Sequence, residues 1–180
     1  MTKLILLAWN NKKANETWIS QVEAKLSEFF DKTHIQYYNH WQENKSNLDL
    51  EYESKIFSKN IDWQSDYVIF AKSAWAVLAI KNIYENWLKP KACIFVGAPM
   101  WMIFHNEFPY EKRFKNIDCP ILFIQKTSDP TCSYLELVKL LSWFSDQFKF
   151  QEIIWNTHDY EDVDLLKNLI GEFIKEIYSV

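Results

Sequence analysis

Short hydrophobic runs alternate with amphipathic stretches along the whole chain. Six of these runs have the length and residue types of β-strands, at residues 3–8, 34–40, 67–71, 92–96, 121–125 and 150–155. The segments that follow them place apolar residues at helical spacing, which predicts helices at residues 16–30, 48–58, 74–87, 134–148 and 162–178. Residues 100–116 are rich in aromatic side chains and are predicted to be irregular.

This alternation predicts the class of fold. Strands that are joined by helices need crossover connections, and crossover connections produce a mainly parallel sheet with helices on both faces. A chain of 180 residues with 48% hydrophobic content suits one domain, and no linker or repeat divides it. We therefore predict a single α/β domain over residues 1–180, with about six strands. Ligands of such sheets bind at the carboxyl ends of the strands, so functional residues should follow strands.

Composition narrows the classes of partner. The net charge of -4 is unlike the basic face of nucleic-acid-binding proteins, and no apolar window is long enough to span a bilayer. Two glycines are too few for the glycine-rich loops that hold nucleotide phosphates. We therefore expect no nucleic acid, no membrane and no nucleotide. Cysteines that sit singly, without a disulfide framework, favour the cytoplasm; they are Cys93, Cys119 and Cys132.

Three polar residues directly follow three of the predicted strands. Ser73 follows the third strand and opens a helix, Asp129 follows the fifth, and His158 follows the sixth. A serine hydroxyl is a weak nucleophile until a base takes its proton, and histidine is the natural base near neutral pH. A carboxylate fixes the tautomer of that histidine and stabilises its protonated form. The order Ser, Asp, His along the chain is that of α/β-hydrolases.

On these residues the chain resembles the small single-domain α/β-hydrolases, including the retinoblastoma-binding serine hydrolase family. The resemblance covers nearly the whole chain and includes C-P-I-L-F-I ahead of Asp129, H-D-Y at His158, and V-G-A-P at residues 96–99. It implies an α/β-hydrolase-like three-layer sandwich. It also implies a nucleophile at Ser73, an orienting acid at Asp129 and a general base at His158.

The sequence around the serine departs from the family pattern. The family has G-x-S-x-G, whereas this chain has Ala71-Lys72-Ser73-Ala74-Trp75. Because the nucleophile lies in a strained turn, small residues are needed two positions before and two positions after it. Ala71 meets this requirement and Trp75 does not. A bulky Trp75 would either separate the helix from the strand or reach over the site and narrow it.

The resemblance also implies an oxyanion hole made of two backbone donors. The first is the amide after the nucleophile, which is Ala74. The second comes from the loop after the first strand, where Trp9 or Asn10 would supply it, and we assign it to Asn10. Residues 101–114 form either a lid over the site or a cluster over the sheet edge, and the lid is favoured because the segment follows a strand end. The side chains expected to contact substrate are those of Trp9, Trp75 and Trp101.

Each of these residues also has a structural explanation. Ser73 could cap the helix that follows it, and Asp129 could cap the helix that starts near Ser133. Cys132 is expected to be a buried thiol. Lys72 is expected to be a solvated charge or a charge at the rim of the site, because neighbouring residues at an elbow point in different directions. The remaining histidines have no partners at metal-ligand spacing, so no metal and no cofactor are expected.

Two functions from different classes follow. The first is a serine hydrolase that cleaves a small ester, thioester or amide through an acyl-enzyme on Ser73. The second is a catalytically degenerate binding or protein-interaction module on the same fold, motivated by Trp75 and by the glycine-free first loop. A Ser73 hydroxyl within hydrogen-bond reach of His158 would favour the enzyme. A Trp75 ring that blocks Ser73 would favour the binding module.

Overall fold

The computed structural model describes residues 2–8, 12–38, 49–60, 66–86, 88–100, 110–115 and 117–178. The first half of the chain contains β1 (Thr2–Leu7), α1 (Lys12–Leu26), a 3₁₀ turn (Ser27–Phe29), β2 (Lys32–Gln36), α2 (Leu50–Asn60), β3 (Asp66–Lys72) and α3 (Ala74–Asn86). The second half contains β4 (Ala92–Val96), α4 (Tyr110–Lys115), β5 (Ile121–Lys126), α5 (Tyr134–Leu141), β6 (Phe148–Ile153) and α6 (Val163–Tyr178).

The strands of the described residues form one six-stranded sheet in the order β2-β1-β3-β4-β5-β6. Every pair of neighbouring strands is parallel, which confirms the predicted class of sheet. The chain first winds outward from β1 to β2, then returns past β1 to β3 and continues in the opposite direction. The winding therefore reverses between β1 and β3, and the carboxyl ends of strands at such a reversal are where open α/β sheets bind ligands.

Helices cover both faces of the sheet. Crossovers of the same hand that run in opposite directions along a sheet lie on opposite faces, so α1 and α3 are on different sides. The helix α6 packs against α1, while α2 and α4 pack against α3. The aromatic rings of Phe114 on α4 and Phe144 beyond α5 lie 5.8 Å apart, which places α5 on the α3 side. Among the described helices, none combines the length and hydrophobicity that crossing a membrane requires.

The three strands that carry the centre of the sheet are almost entirely buried. Because helices cover both of their faces, β3, β4 and β5 appear in the sequence as continuous apolar runs and not as alternating patterns. This is why the sequence located them well. The prediction was less accurate at the ends of other elements. The helix predicted over residues 134–148 ends at Leu141 and gives way to turns, because β6 begins at Phe148 to pair with Ile121.

Candidate active site

The chain turns sharply between β3 and α3. Ser73 occupies this turn with a φ of +57°, a left-handed conformation that costs an L-residue about 1–2 kcal/mol. Its backbone N–H donates to the carbonyl of Val96 at 2.9 Å, and its carbonyl accepts from the N–H of Ala76 at 2.9 Å. The strained residue is thereby held between β4 and the first turn of α3. The turn places the Ser73 hydroxyl at the carboxyl end of the sheet.

A hydrogen-bonded chain of side chains joins the ends of three strands. The Nε2 atom of His158 lies 2.8 Å from the Ser73 Oγ. Its Nδ1 atom lies 2.9 Å from Oδ2 and 3.0 Å from Oδ1 of Asp129. The carboxylate of Asp129 is fully buried. The structure therefore brings together the three residues that the sequence placed after β3, β5 and β6.

Four donors surround the carboxylate of Asp129. Besides His158, these are the backbone N–H of Thr131 at 2.8 Å, the Thr131 hydroxyl at 2.7 Å and the Tyr160 hydroxyl at 2.9 Å. Burial raises the pKa of Asp129, but the hydrogen bonds from His158 and Thr131 outweigh burial and leave the pKa below its ordinary value. An ionised carboxylate accepts the Nδ1 proton, so the lone pair of Nε2 faces the Ser73 hydroxyl.

The structure also gives the contacts of the other polar residues near the site. Ser133 caps α5 in a capping box with Glu136, so Asp129 does not cap that helix. Asp162, another carboxylate close to His158 along the chain, accepts a hydrogen bond from the N–H of Leu165 at the start of α6. Burial raises the pKa of the Cys132 thiol to about 12, so this thiol stays protonated and is a poor nucleophile at neutral pH.

Trp75 does not lie over the site. Its side chain is 0% exposed and stacks on Tyr38, with ring centroids 3.6 Å apart and an interplanar angle of 3°. The hydroxyl of Tyr38 donates in turn to the carbonyl of Ala8, the residue after β1, at 2.6 Å. The predicted contact between Trp75 and substrate is therefore wrong, because the ring is part of the core. The same burial leaves Ser73 within reach of His158.

Lys72 also differs from its prediction. The residue is 3% exposed, and its Nζ lies 4.6 Å from the ring centroid of Trp18 on α1. Burial lowers the pKa of Lys72 to about 8, although the nearby charge of Asp159 acts in the opposite direction. Lys72 is thus not a solvated charge, because the β3 position that it occupies faces the α1 layer.

The structure describes only some of the residues predicted to form the oxyanion hole and to contact substrate. Ala74 is the first residue of α3, where backbone N–H groups have no acceptor within the helix, so its position suits the predicted donor. Asn10, Trp9 and Trp101 lie outside the described residues, as does most of the aromatic segment that was predicted to form a lid. Its described end belongs to the core, because Phe114 is buried against other aromatic rings.

Sequence reasoning gave no role to several residues around the acid and the base. Gly97 has a φ of +61°, and a Cβ there would lie 2.7 Å from Cε2 of Tyr160 and 3.0 Å from Cε1 of His158. Its place in V-G-A-P and the scarcity of glycine in this chain were the available signals. Tyr160 was part of the H-D-Y segment, but nothing in the sequence indicated that its hydroxyl reaches Asp129. Thr131 carried no signal beyond its nearness to Asp129.

No protein-family model matches the chain, and no curated protein matches its sequence. Solved structures are similar in fold. Est1E from Butyrivibrio proteoclasticus with bound ferulic acid is 16% identical over 99% of this chain and 90% of its own, with a TM-score of 0.71. An alpha-beta serine hydrolase homologue from Coxiella burnetii is 16% identical over 96% of this chain and 84% of its own, with a TM-score of 0.75. A monoacylglycerol lipase from Paleococcus ferrophilus is 10% identical over 97% of this chain and 94% of its own, with a TM-score of 0.73. These similarities show that the chain has the α/β-hydrolase fold.

Proposed function

We propose that this chain is a serine hydrolase that acts on a small ester, thioester or amide. The observation that carries the proposal is the distance of 2.8 Å between the Ser73 Oγ and the His158 Nε2, continued from Nδ1 to Asp129. This was the geometry expected of an enzyme and not of a degenerate binding module. The positive φ of Ser73 adds support, because a strained residue persists only where the surroundings enforce it, as at functional sites.

The proposed reaction has two halves. The Ser73 Oγ attacks the carbonyl carbon of the substrate while His158 takes the hydroxyl proton, and the resulting tetrahedral intermediate collapses as His158 protonates the leaving group. Water then attacks the acyl-enzyme, with His158 again as the base, and the acid is released from Ser73. Asp129 stays ionised throughout and stabilises protonated His158. The backbone amides of Ala74 and Asn10 would hold the oxyanion, and Trp9 and Trp101 would contact the substrate.

Within the α/β-hydrolase fold, we place the chain nearest in kind to the retinoblastoma-binding serine hydrolases. Two segments support this assignment, because Gly97 of V-G-A-P and Tyr160 of H-D-Y both lie against the His158 ring. The names of the esterase and lipase neighbours favour a carboxylic ester over an amide. We also propose a cytoplasmic location, since the three cysteines are buried thiols without disulfide bonds.

Labelling with a fluorophosphonate probe tests the proposal without knowledge of the substrate. The wild type should become covalently labelled at Ser73, Ser73→Ala should not label, and His158→Ala should label at least roughly 1000-fold more slowly. Ser20→Ala is a matched control, because Ser20 is an exposed serine whose hydroxyl donates to a carbonyl one turn earlier in α1. Folded wild-type protein that does not label would overturn the proposal, and labelling that survives in Ser73→Ala would assign the nucleophile elsewhere.

A binding module on the same fold is the second candidate. It is favoured by the exposed side chains of Ile154 and Trp155, which line a cavity of about 460 Å³ beside the loop that carries His158. Large exposed apolar side chains next to a cavity are typical of contact surfaces. This candidate predicts a folded chain that does not react with the probe.

A further inference from the structure

The side chain of Tyr160 connects Asp129 to the end of β5. The residue is buried, and its ring is edge-on to that of His158 with centroids 6.3 Å apart. Its hydroxyl donates to the Asp129 Oδ2 at 2.9 Å and accepts from the backbone N–H of Lys126 at 3.0 Å. The hydroxyl therefore links the last residue of β5 to the Asp129 oxygen that lies nearest to the His158 Nδ1.

The orientation of this hydroxyl is determined by its surroundings. The Lys126 N–H occupies an acceptor site on the oxygen, so the proton is directed to Asp129. Burial, together with the charge of Asp129, raises the pKa of Tyr160 well above its ordinary value. The phenol consequently keeps its proton at neutral pH and remains a donor to the ionised Asp129.

Several contacts fix Tyr160 and the loop around it. The indole N–H of Trp18 on α1 donates to the backbone carbonyl of Tyr160 at 2.6 Å. The Lys126 ammonium lies 5.0 Å from the Tyr160 ring centroid, and it donates to the Thr157 hydroxyl at 2.9 Å and to the Asp159 carbonyl. The loop that carries His158 is thus attached to both α1 and β5. A hydroxyl held this rigidly can keep a carboxylate in one orientation.

We propose that Tyr160 is a positioning residue that controls how Asp129 holds His158. The two oxygens of the carboxylate are divided between two partners, since Thr131 donates to Oδ1 and Tyr160 to Oδ2. Without the Tyr160 hydroxyl, Oδ2 keeps only His158 among these donors. The carboxylate is then less firmly oriented, and more of its negative charge acts on the imidazole. The inference rests on the proposed serine hydrolase activity.

Other charged and titratable groups surround this network and stay unchanged when Tyr160 is substituted. They are Lys72 at the end of β3, Lys126 at the end of β5, Cys132 in the turn after β5, and Asp159 and Glu161 in the loop after β6. Because these groups are present in both proteins, a change in the pH dependence of labelling on substitution of Tyr160 is assigned first to Asp129, which the Tyr160 hydroxyl contacts, and to His158, which is hydrogen-bonded to Asp129.

The experiment compares Tyr160→Phe with the wild type in the rate of fluorophosphonate labelling between about pH 5 and pH 9. We expect roughly tenfold slower labelling at the plateau, the scale of one hydrogen bond to a charged group. We also expect the midpoint of the pH profile to move upward by about half a unit or more, because a carboxylate with fewer donors holds the protonated imidazole more strongly. Tyr178→Phe is the matched control, since the Tyr178 hydroxyl contacts Thr2 on the surface, and it should behave as wild type.

A second variant keeps the test independent of folding. Placing 3-fluorotyrosine at position 160 by amber suppression preserves the size of the ring and strengthens the hydroxyl as a donor, so the midpoint should move to lower pH. Shifts of opposite sign in the two variants would establish the role. The positioning role would be overturned if Tyr160→Phe had the wild-type rate and midpoint. It would also be overturned if both variants labelled more slowly with an unmoved midpoint. In either case the proposed function would stand. Wild-type protein that fails to label would overturn both.

Discussion

The two halves of the candidate site are held by different forces. The half around Ser73, called the nucleophile half after the role proposed for it, lies between β3 and α3. It is held by backbone hydrogen bonds to the strained Ser73 and by apolar packing, with Trp75 stacked on Tyr38. The acid–base half, formed by the loops after β5 and β6, depends on hydrogen bonds, with Thr131 and Tyr160 both donating to the carboxylate. The first half is held mainly by side-chain packing and backbone hydrogen bonds, and the second mainly by side-chain donors and acceptors.

This difference gives a physical reason why the sequence around Ser73 can differ from the G-x-S-x-G pattern that the resemblance implies. Packing can be satisfied by many combinations of side chains if the volume is accommodated, so a tryptophan can occupy the position of the second glycine of that pattern. A buried carboxylate that loses a donor has no comparable substitute. Gly97 lies where the halves meet, next to the backbone that binds Ser73 and against the rings of His158 and Tyr160.

The largest expected effect concerns the packing of the nucleophile half. Trp75→Ala should lower the free energy of unfolding by about 3–5 kcal/mol, because it leaves a cavity against Tyr38 in the core. Urea denaturation measures this change. Trp143→Ala is the control, since Trp143 is 73% exposed, and it should change stability by no more than about 0.5 kcal/mol. A loss below about 1 kcal/mol for Trp75→Ala would contradict the packing role.

The second effect concerns the junction of the two halves. Gly97→Ala should lower the free energy of unfolding by about 2 kcal/mol, from the positive φ and from the contact of the new methyl group with Tyr160. It should also slow fluorophosphonate labelling of the folded fraction, because His158 must move.

Gly171→Ala is the comparison for this variant. A Cβ at Gly171 would lie 2.7 Å from Cζ of Phe29, as close as the nearest contact at Gly97, but Gly171 lies within α6 and its φ is not positive. We expect a smaller loss of stability and an unchanged labelling rate. Equal effects of the two glycine substitutions on labelling would refute a specific role for Gly97.

The smallest effect isolates the strain at the nucleophile. Ser73→Ala and Ser73→Gly both remove the hydroxyl and its contact with His158. Of the two residues, only glycine adopts a φ of +57° without steric strain. The glycine variant should therefore be more stable than the alanine variant by about 1 kcal/mol. Thermal or urea unfolding of the two variants gives this difference directly. Equal stabilities would mean that the turn is not strained.

The sequence located much of the fold and the centre of the site, for identifiable reasons. Continuous apolar runs revealed β3, β4 and β5, and the rule that functional residues follow strands singled out Ser73, Asp129 and His158. The structure places these three side chains in contact, and their catalytic role remains the proposal made above. Both the apolar runs and the polar residues that follow them are visible in short stretches of sequence.

The sequence failed where a side chain's partner lies far away along the chain and no known motif marks the pair. Trp75 was expected at the substrate and lies in the core, because its partner is Tyr38 beyond β2. Lys72 was predicted to be a solvated charge or a charge at the rim of the site, and it is buried because its position on β3 faces Trp18 on α1. The role of Tyr160 depends on how β5 and the loop after β6 are brought side by side. Such pairings follow from the register of the sheet, which local patterns do not encode.

The uniformly parallel sheet has a consequence for how the chain folds. None of the described strands pairs through a hairpin. Each pairing therefore loses the entropy of closing a long loop before stabilising contacts form. Folding should consequently be slow for a chain of this size. Because His158 follows β6 at one edge of the sheet, the Ser73 hydroxyl can contact the His158 ring only after β6 has docked. During refolding, reactivity of Ser73 towards a probe should therefore appear only once β6 has docked and not with the first collapse.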